Sequence, residues 1–138
     1  MKKDTPRYGM ALVVSGPSGS GKSTICRTVL ANTPKLEFSV SCTTRQPRSG
    51  ETHGVDYHFI TRDVFEKHIA DNDFIEYAEV HGNYYGTLKS ELTARMQNGI
   101  DVLLDIDVQG AMKIRETCRN DIFLARCCEF VFIAPPSE

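Results

Sequence analysis

Eight consecutive residues, Gly16-Pro17-Ser18-Gly19-Ser20-Gly21-Lys22-Ser23, constrain this chain more tightly than any others. They follow a short apolar run, MALVVS over residues 10–15, that a Gly-Pro step cuts off. They precede residues 22–31, where Ile25, Val29 and Leu30 recur at helical spacing before Asn32-Thr33-Pro34. A buried strand, a glycine loop and a helix in that order are the context that G-x-x-x-x-G-K-[ST] requires. Glycines let backbone N–H groups converge on phosphate oxygens, and the helix N-terminus adds positive potential. The Lys22 ammonium reaches the terminal phosphates, and the Ser23 hydroxyl can ligate Mg²⁺. The stretch therefore predicts a nucleotide phosphate site built from Gly16, Pro17, Ser18, Gly19, Ser20, Gly21, Lys22, Ser23 and Thr24. A chance Gly/Ser-rich turn is the competing explanation, and the flanking strand and helix argue against it.

The rest of the chain limits what can surround that loop. At 138 residues there is room for one domain, or one domain with a modest insert. A hydrophobic share of 41% against 25% charged residues suits a globular chain. The net charge of −2 provides no bulk basic field, so no nucleic-acid partner is expected and any anion site must be local. The apolar start is too short for a signal-peptide core or a membrane span, which makes a cytoplasmic location the default and a membrane partner unexpected. Five cysteines without a C-x-x-C pair, and four histidines without ligand spacing, signal neither a disulfide framework nor a zinc site.

Further along, residues 38–43 and 56–60 read as short strands, and Thr61 can cap a helix carrying Val64, Phe65 and Ile69. Residues 73–80 read as extended, with a tight turn at His81-Gly82-Asn83. Leu88, Leu92 and Met96 suggest a helix that ends near Gly99. Residues 100–106 and 129–134 return to near-continuous apolar character, with a helix over 109–118 between them. Strands alternating with helices predict an α/β protein with a parallel-sheet core, helices on both faces, and an inserted mixed α+β lobe. The expected division is 1–38 for the first part of the core, 39–99 for the lobe and 100–138 for the second part. Asp105 closes an apolar strand where proteins with this loop place an acidic residue near the metal, and Asp107, two residues on, shares its side.

Residues 39–59, SVSCTTRQPRSGETHGVDYHF, carry Arg45 and Arg48 in a polar loop. Both lie well downstream of the triphosphate loop, so they imply a second anion. Guanidinium forks match phosphate oxygens bidentately, and the hydroxyls of Tyr57 and Tyr85 add neutral donors. Two loop arginines by themselves are an ordinary solvated surface feature; the nearby phosphate loop changes the balance.

The motifs GPSGSGKST, SCTTRQPRSGETHGVDY, FIE (74–76), GNYYGT (82–87), LDIDVQG (104–110) and FIAPPS (132–137) together resemble guanylate kinase in order and spacing. The resemblance covers nearly the whole chain. It implies a P-loop NTPase fold and Mg²⁺-dependent transfer of the ATP γ-phosphoryl group to GMP. It also implies that Arg45, Arg48, Tyr57 and Tyr85 hold the GMP phosphate and that Ser41, Glu76, Thr87 and Asp107 read guanine. Lys22, Arg45 and Asp105 would serve catalysis, with Ser23 on the Mg²⁺ and Asp105 acting on it indirectly. Thr87 stands where the family often has serine and keeps the hydroxyl. The chemistry agrees: guanine offers adjacent N1–H and N2–H₂ donors to one carboxylate, whereas adenine turns an acceptor toward it. The family pattern continues past FIAPPS into an arginine-bearing lid and closing core elements, whereas this chain stops at Glu138, so apolar surface around Phe130, Phe132 and Ile133 is expected to be left exposed. Two other classes compete: a guanylate-kinase-like module that binds a phosphorylated peptide, and a P-loop kinase for another small phosphorylated acceptor such as a ribose bisphosphate. The intact glycine loop weighs against the first, and Glu76 with Ser41 and Asp107 against the second.

Overall fold

The computed structural model describes residues 7–17 and 20–134. Ser18 and Gly19 of the loop, and Pro135-Pro136-Ser137 of the last motif, lie outside the described residues. In chain order the elements are β1 (Ala11–Ser15), α1 (Lys22–Asn32), β2 (Leu36–Phe38), β3 (Cys42–Thr43), β4 (His58–Phe59) and α2 (Arg62–Ala70). There follow β5 (Phe74–Val80), β6 (Asn83–Leu88), α3 (Lys89–Gln97), β7 (Asp101–Ile106), α4 (Val108–Arg119), α5 (Ile122–Cys127) and β8 (Cys128–Phe132). The chain divides into two compact units, 1–38 together with 92–138, and 39–91. The lower boundary falls between Phe38 and Ser39. The upper one falls inside α3, because Leu92 and Met96 are fully buried and the Met96 carbonyl accepts from Gly9 N–H in the first unit.

The first unit is a parallel sheet in the order β2-β7-β1-β8. Val102, Leu103 and Leu104 of β7 are each at most 1% exposed, so both faces of this strand are covered. On one face Leu103 and Val14 pack with Cys26 of α1, flanked by Leu12, Leu30 and Leu36. Alternation sends Val13, Val102 and Leu104 to the other face, and α4 packs against β1 through a stripe of Ala111, Ile114 and Cys118. Burying these apolar side chains contributes about 1.5–3 kcal/mol each, set against the entropy of ordering the chain. The register aligns Ser15 with Ile106 and with Phe132, so the carboxyl ends of three strands open on one edge. On edge strand β8, Phe132 and Val131 are exposed, whereas Phe130 is half-covered by the Arg115 guanidinium 4.6 Å from its ring centroid and Ile133 packs against the Val14–Cys26–Leu103 cluster, so of the three residues expected to be exposed only Phe132 is.

The second unit is a mixed sheet in the order β4-β3-β6-β5, with α2 packed on it. Thr61 caps α2 as expected, its hydroxyl accepting from Val64 N–H. Phe65 is completely buried, stacked on Phe74 at 4.3 Å and on Tyr84 at 4.7 Å. Val64, expected on the buried face, is 44% exposed, and in α1 Ile25 likewise faces out while Cys26 is buried.

Four local expectations change. The run 38–43 is two strands in two sheets, β2 ending at Phe38 and β3 starting at Cys42. Residues 56–60 shrink to the two-residue β4. Leu88 does not begin a helix: it ends β6 and pairs with Phe74. Helix α5, capped by Asp121, was not anticipated. Among the described residues no helix is long and apolar enough to cross a membrane.

Candidate functional site

In the first unit the glycine loop leaves β1 and enters α1 at Gly21, whose φ of 83° lies in the left-handed region where a side chain is strained. Gly16 is held by a close approach instead: a Cβ there would lie 2.5 Å from the Ile133 carbonyl oxygen. Beyond this backbone a cavity of about 780 Å³ is lined by Gly16, Pro17, Ser20, Gly21, Lys22, Ser23 and Thr24 of the loop and by Asp105, Asp107, Val108 and Gln109. Lys22 Nζ donates to the Ile106 carbonyl at 2.8 Å and meets Asp105 Oδ1 at 2.9 Å. Both side chains are mostly shielded, so the ammonium is fixed at the mouth of the strands. Asp107 has a structural duty that spacing alone did not reveal. It is the N-cap of α4, with Oδ1 accepting from Gly110 N–H at 2.7 Å.

In the second unit strand alternation does the sorting. Tyr84 and Leu88 of β6 join the Phe65 core, so Tyr85 and Thr87 occupy the opposite face. Glu76 reaches that face through a β-bulge. The pairing steps from Phe74↔Leu88 to Glu76↔Thr87, one extra residue on β5. In an unbroken strand Phe74 and Glu76 would share a face; the bulge lets Phe74 enter the core while Glu76 turns to Thr87. Thr87 Oγ1 donates to Glu76 Oε1 at 3.1 Å and lies 3.3 Å from Ser41 Oγ. Three of the four residues expected to read guanine are therefore one hydrogen-bonded row, and the fourth, Asp107, belongs to the first unit.

Arg45, Tyr57 and Tyr85 also come together. The Tyr57 and Tyr85 rings are 6.0 Å apart, and Arg45 Cζ lies 5.3 Å from the Tyr57 centroid and 5.9 Å from that of Phe59. Thr43 Oγ1 accepts from Arg45 N–H and donates to the Tyr84 carbonyl, which ties the arginine to the strand that carries Tyr85. The residue that spacing missed is Glu51. Its Oε1 and Oε2 accept from Arg45 Nη1 and Nη2 at 2.8 and 3.0 Å, and Oε1 also accepts from Arg48 N–H at 2.7 Å. The Arg45 hydrogen bond, then the Arg48 N–H, hold the Glu51 carboxyl down at about 2, and the same pairing raises the Arg45 value further. The Arg48 side chain is exposed.

Comparison with known proteins joins these observations. The family model for guanylate kinase matches residues 8–138. Guanylate kinases of Clostridium perfringens (strain SM101 / Type A) and Symbiobacterium thermophilum are 48% and 49% identical to this chain over 129 residues. The match covers 94% of this chain and 56% and 58% of theirs. The crystal structure of guanylate kinase from Anaplasma phagocytophilum superposes with a TM-score of 0.69 at 37% identity, covering 94% of this chain and 62% of that one. This chain thus spans a little over half the length of those curated relatives. By fold, loop and family match alike, the chain belongs to the guanylate kinase family.

Proposed function

We propose that this chain carries the acceptor-binding and donor-phosphate-binding parts of an ATP:GMP phosphotransferase, a nucleoside monophosphate kinase that yields ADP and GDP. The observation that carries the proposal is the Ser41–Thr87–Glu76 row on the same face of one sheet as Tyr85, with Arg45 and Tyr57 beside it. A carboxylate able to accept a guanine N1–H/N2–H₂ fork, hydroxyls able to donate to O6, and a guanidinium with two phenols for phosphate form a guanine nucleotide monophosphate site. Adenine would place an acceptor against that carboxylate, at about 1–3 kcal/mol for each buried hydrogen bond left unmade.

The loop cavity supplies the donor side. Backbone N–H groups, Lys22 and the α1 N-terminus would take the ATP phosphates. The oxygen donors lining it, the Ser23 hydroxyl and the Asp105 carboxylate, fit a hard cation such as Mg²⁺, which takes few protein ligands alongside phosphate oxygens. Ser23 would hold it directly and Asp105 indirectly, and Mg²⁺ would supply charge neutralisation at the transferring group. Transfer then needs little covalent help; it needs the two phosphates in line and their charge neutralised by Lys22, Arg45 and Arg48. Five unpaired cysteines fit a reducing, cytoplasmic setting.

A coupled ADP-release assay with MgATP and GMP, AMP, CMP or UMP tests the proposal. GMP should be turned over far faster than the others; comparable rates on AMP, or none on GMP, would sink it.

A further inference from the structure

The geometry points to Glu51 as a positioning residue that presents Arg45 and the Arg48 backbone to the acceptor phosphate, an inference that rests on the acceptor reading above. A guanidinium has five N–H donors in a rigid plane. Glu51 takes the edge formed by Nη1 and Nη2, and Nη1 also donates to the Gln46 carbonyl at 3.0 Å. The rings of Tyr57 and Phe59 lie beside the same plane. A bidentate carboxylate, a carbonyl and two rings leave Arg45 little rotameric freedom, so much of the ordering entropy is removed before any ligand arrives. The edge through Nε, which Glu51 does not engage, is the second fork of the guanidinium and matches two phosphate oxygens. Glu51 Oε1 also accepts from Arg48 N–H, so one carboxylate ties the two arginine positions together across the loop.

The sign of the Glu51 charge separates a geometric role from an electrostatic one. A site that relied on net positive charge would gain from losing a carboxylate beside its anion. Glu51 is bound to the very cation expected to hold phosphate, so its benefit must be geometric, and removing it should weaken phosphate binding despite the more positive loop.

The test is calorimetric titration of the intact chain and of Glu51→Ala and Glu51→Gln with GMP and with guanosine, which lacks the phosphate. Glu51→Ala should weaken GMP binding about 10- to 100-fold, the scale of misplacing one charged group, and leave guanosine within about twofold. Glu51→Gln keeps an acceptor for Arg48 N–H but opposes Nη2 with an amide, so it should fall between, at about 3- to 10-fold. GMP binding to Glu51→Ala that equals or exceeds wild type overturns the inference and assigns the site to charge. An equal loss of GMP and guanosine overturns it too, because it makes Glu51 a fold residue. If the wild-type chain binds GMP no better than AMP, the acceptor reading itself fails, and that result is separate from either variant's behaviour.

Discussion

Thr87 lets the hydroxyl row be tested apart from packing. Its side chain is 1% exposed, so water cannot replace a missing hydrogen bond, and its hydroxyl donates to Glu76 and approaches Ser41. Thr87→Val keeps the shape and removes only the hydroxyl, a donor to a carboxylate, which costs about 1.5–3 kcal/mol. Thr87→Ser keeps the hydroxyl and removes a buried methyl, costing about 1 kcal/mol with the small void it leaves. For a chain of this size each kcal/mol lowers Tm by roughly 4 °C, so Val should melt about 6–12 °C lower and Ser about 4 °C lower. Nucleotide selectivity should separate the two differently: Thr87→Ser keeps the GMP over AMP preference within about twofold, while Thr87→Val loses about tenfold. Thermal melts and competition titrations read both quantities. A Val variant as stable and as selective as wild type would refute the idea that the row is a working network.

Phe65→Ala should destabilise the chain by about 3–5 kcal/mol, seen as a lower denaturant midpoint, because a fully buried ring stacked on two others is removed; a change under about 1.5 kcal/mol would mean the site had collapsed and refilled. Lys22→Met should cut ATP binding and phosphoryl transfer by about 100-fold or more while GMP binding stays near wild type, and a selective loss of GMP would show the two phosphate sites to be exchanged. Glu51 titrates at about 2 in the folded chain, against an ordinary 4.5, so its pairing with Arg45 stabilises above the ordinary value and is lost as pH falls toward 2. NMR signals of the Arg45 side chain should therefore hold their positions down to about pH 4 and move below it, and movement centred near the ordinary value would show the ion pair to be absent in solution.

How much the sequence disclosed depended on whether a feature is written in the backbone or in side-chain register. The glycine loop needs glycine at Gly16 and Gly21 for reasons of space and φ, so its backbone course is readable from spacing alone. Strand β7 was legible because a strand covered on both faces must be continuously apolar. Strand β6 was not: Gly86 interrupts the alternation, and Leu88 is also four residues before Leu92, so a helix spacing competed with the true strand. Helix α5 has six residues, too few for a periodic face to show. Val64 and Ile25 were misplaced because a helix of nine to eleven residues leaves the phase of its buried stripe ambiguous by one position.

The proposed acceptor cluster lies at the far end of that scale. Arg45, Glu51 and Tyr57 come from one loop and Tyr85 from β6, and the spacing of the loop residues does not show that Glu51 clamps Arg45. Tyr85 meets that loop because β3 pairs Thr43 with Tyr85, and Glu76 meets Thr87 through the bulge that sends Phe74 and Glu76 to opposite faces. Removing the bulge while keeping every residue would bring a carboxylate against Phe65 or expose Phe74, and both are costly. The need to bury Phe74 in the aromatic core therefore fixes where Glu76 points, so the second unit's core and the proposed base-reading row are set by a single irregularity in one strand.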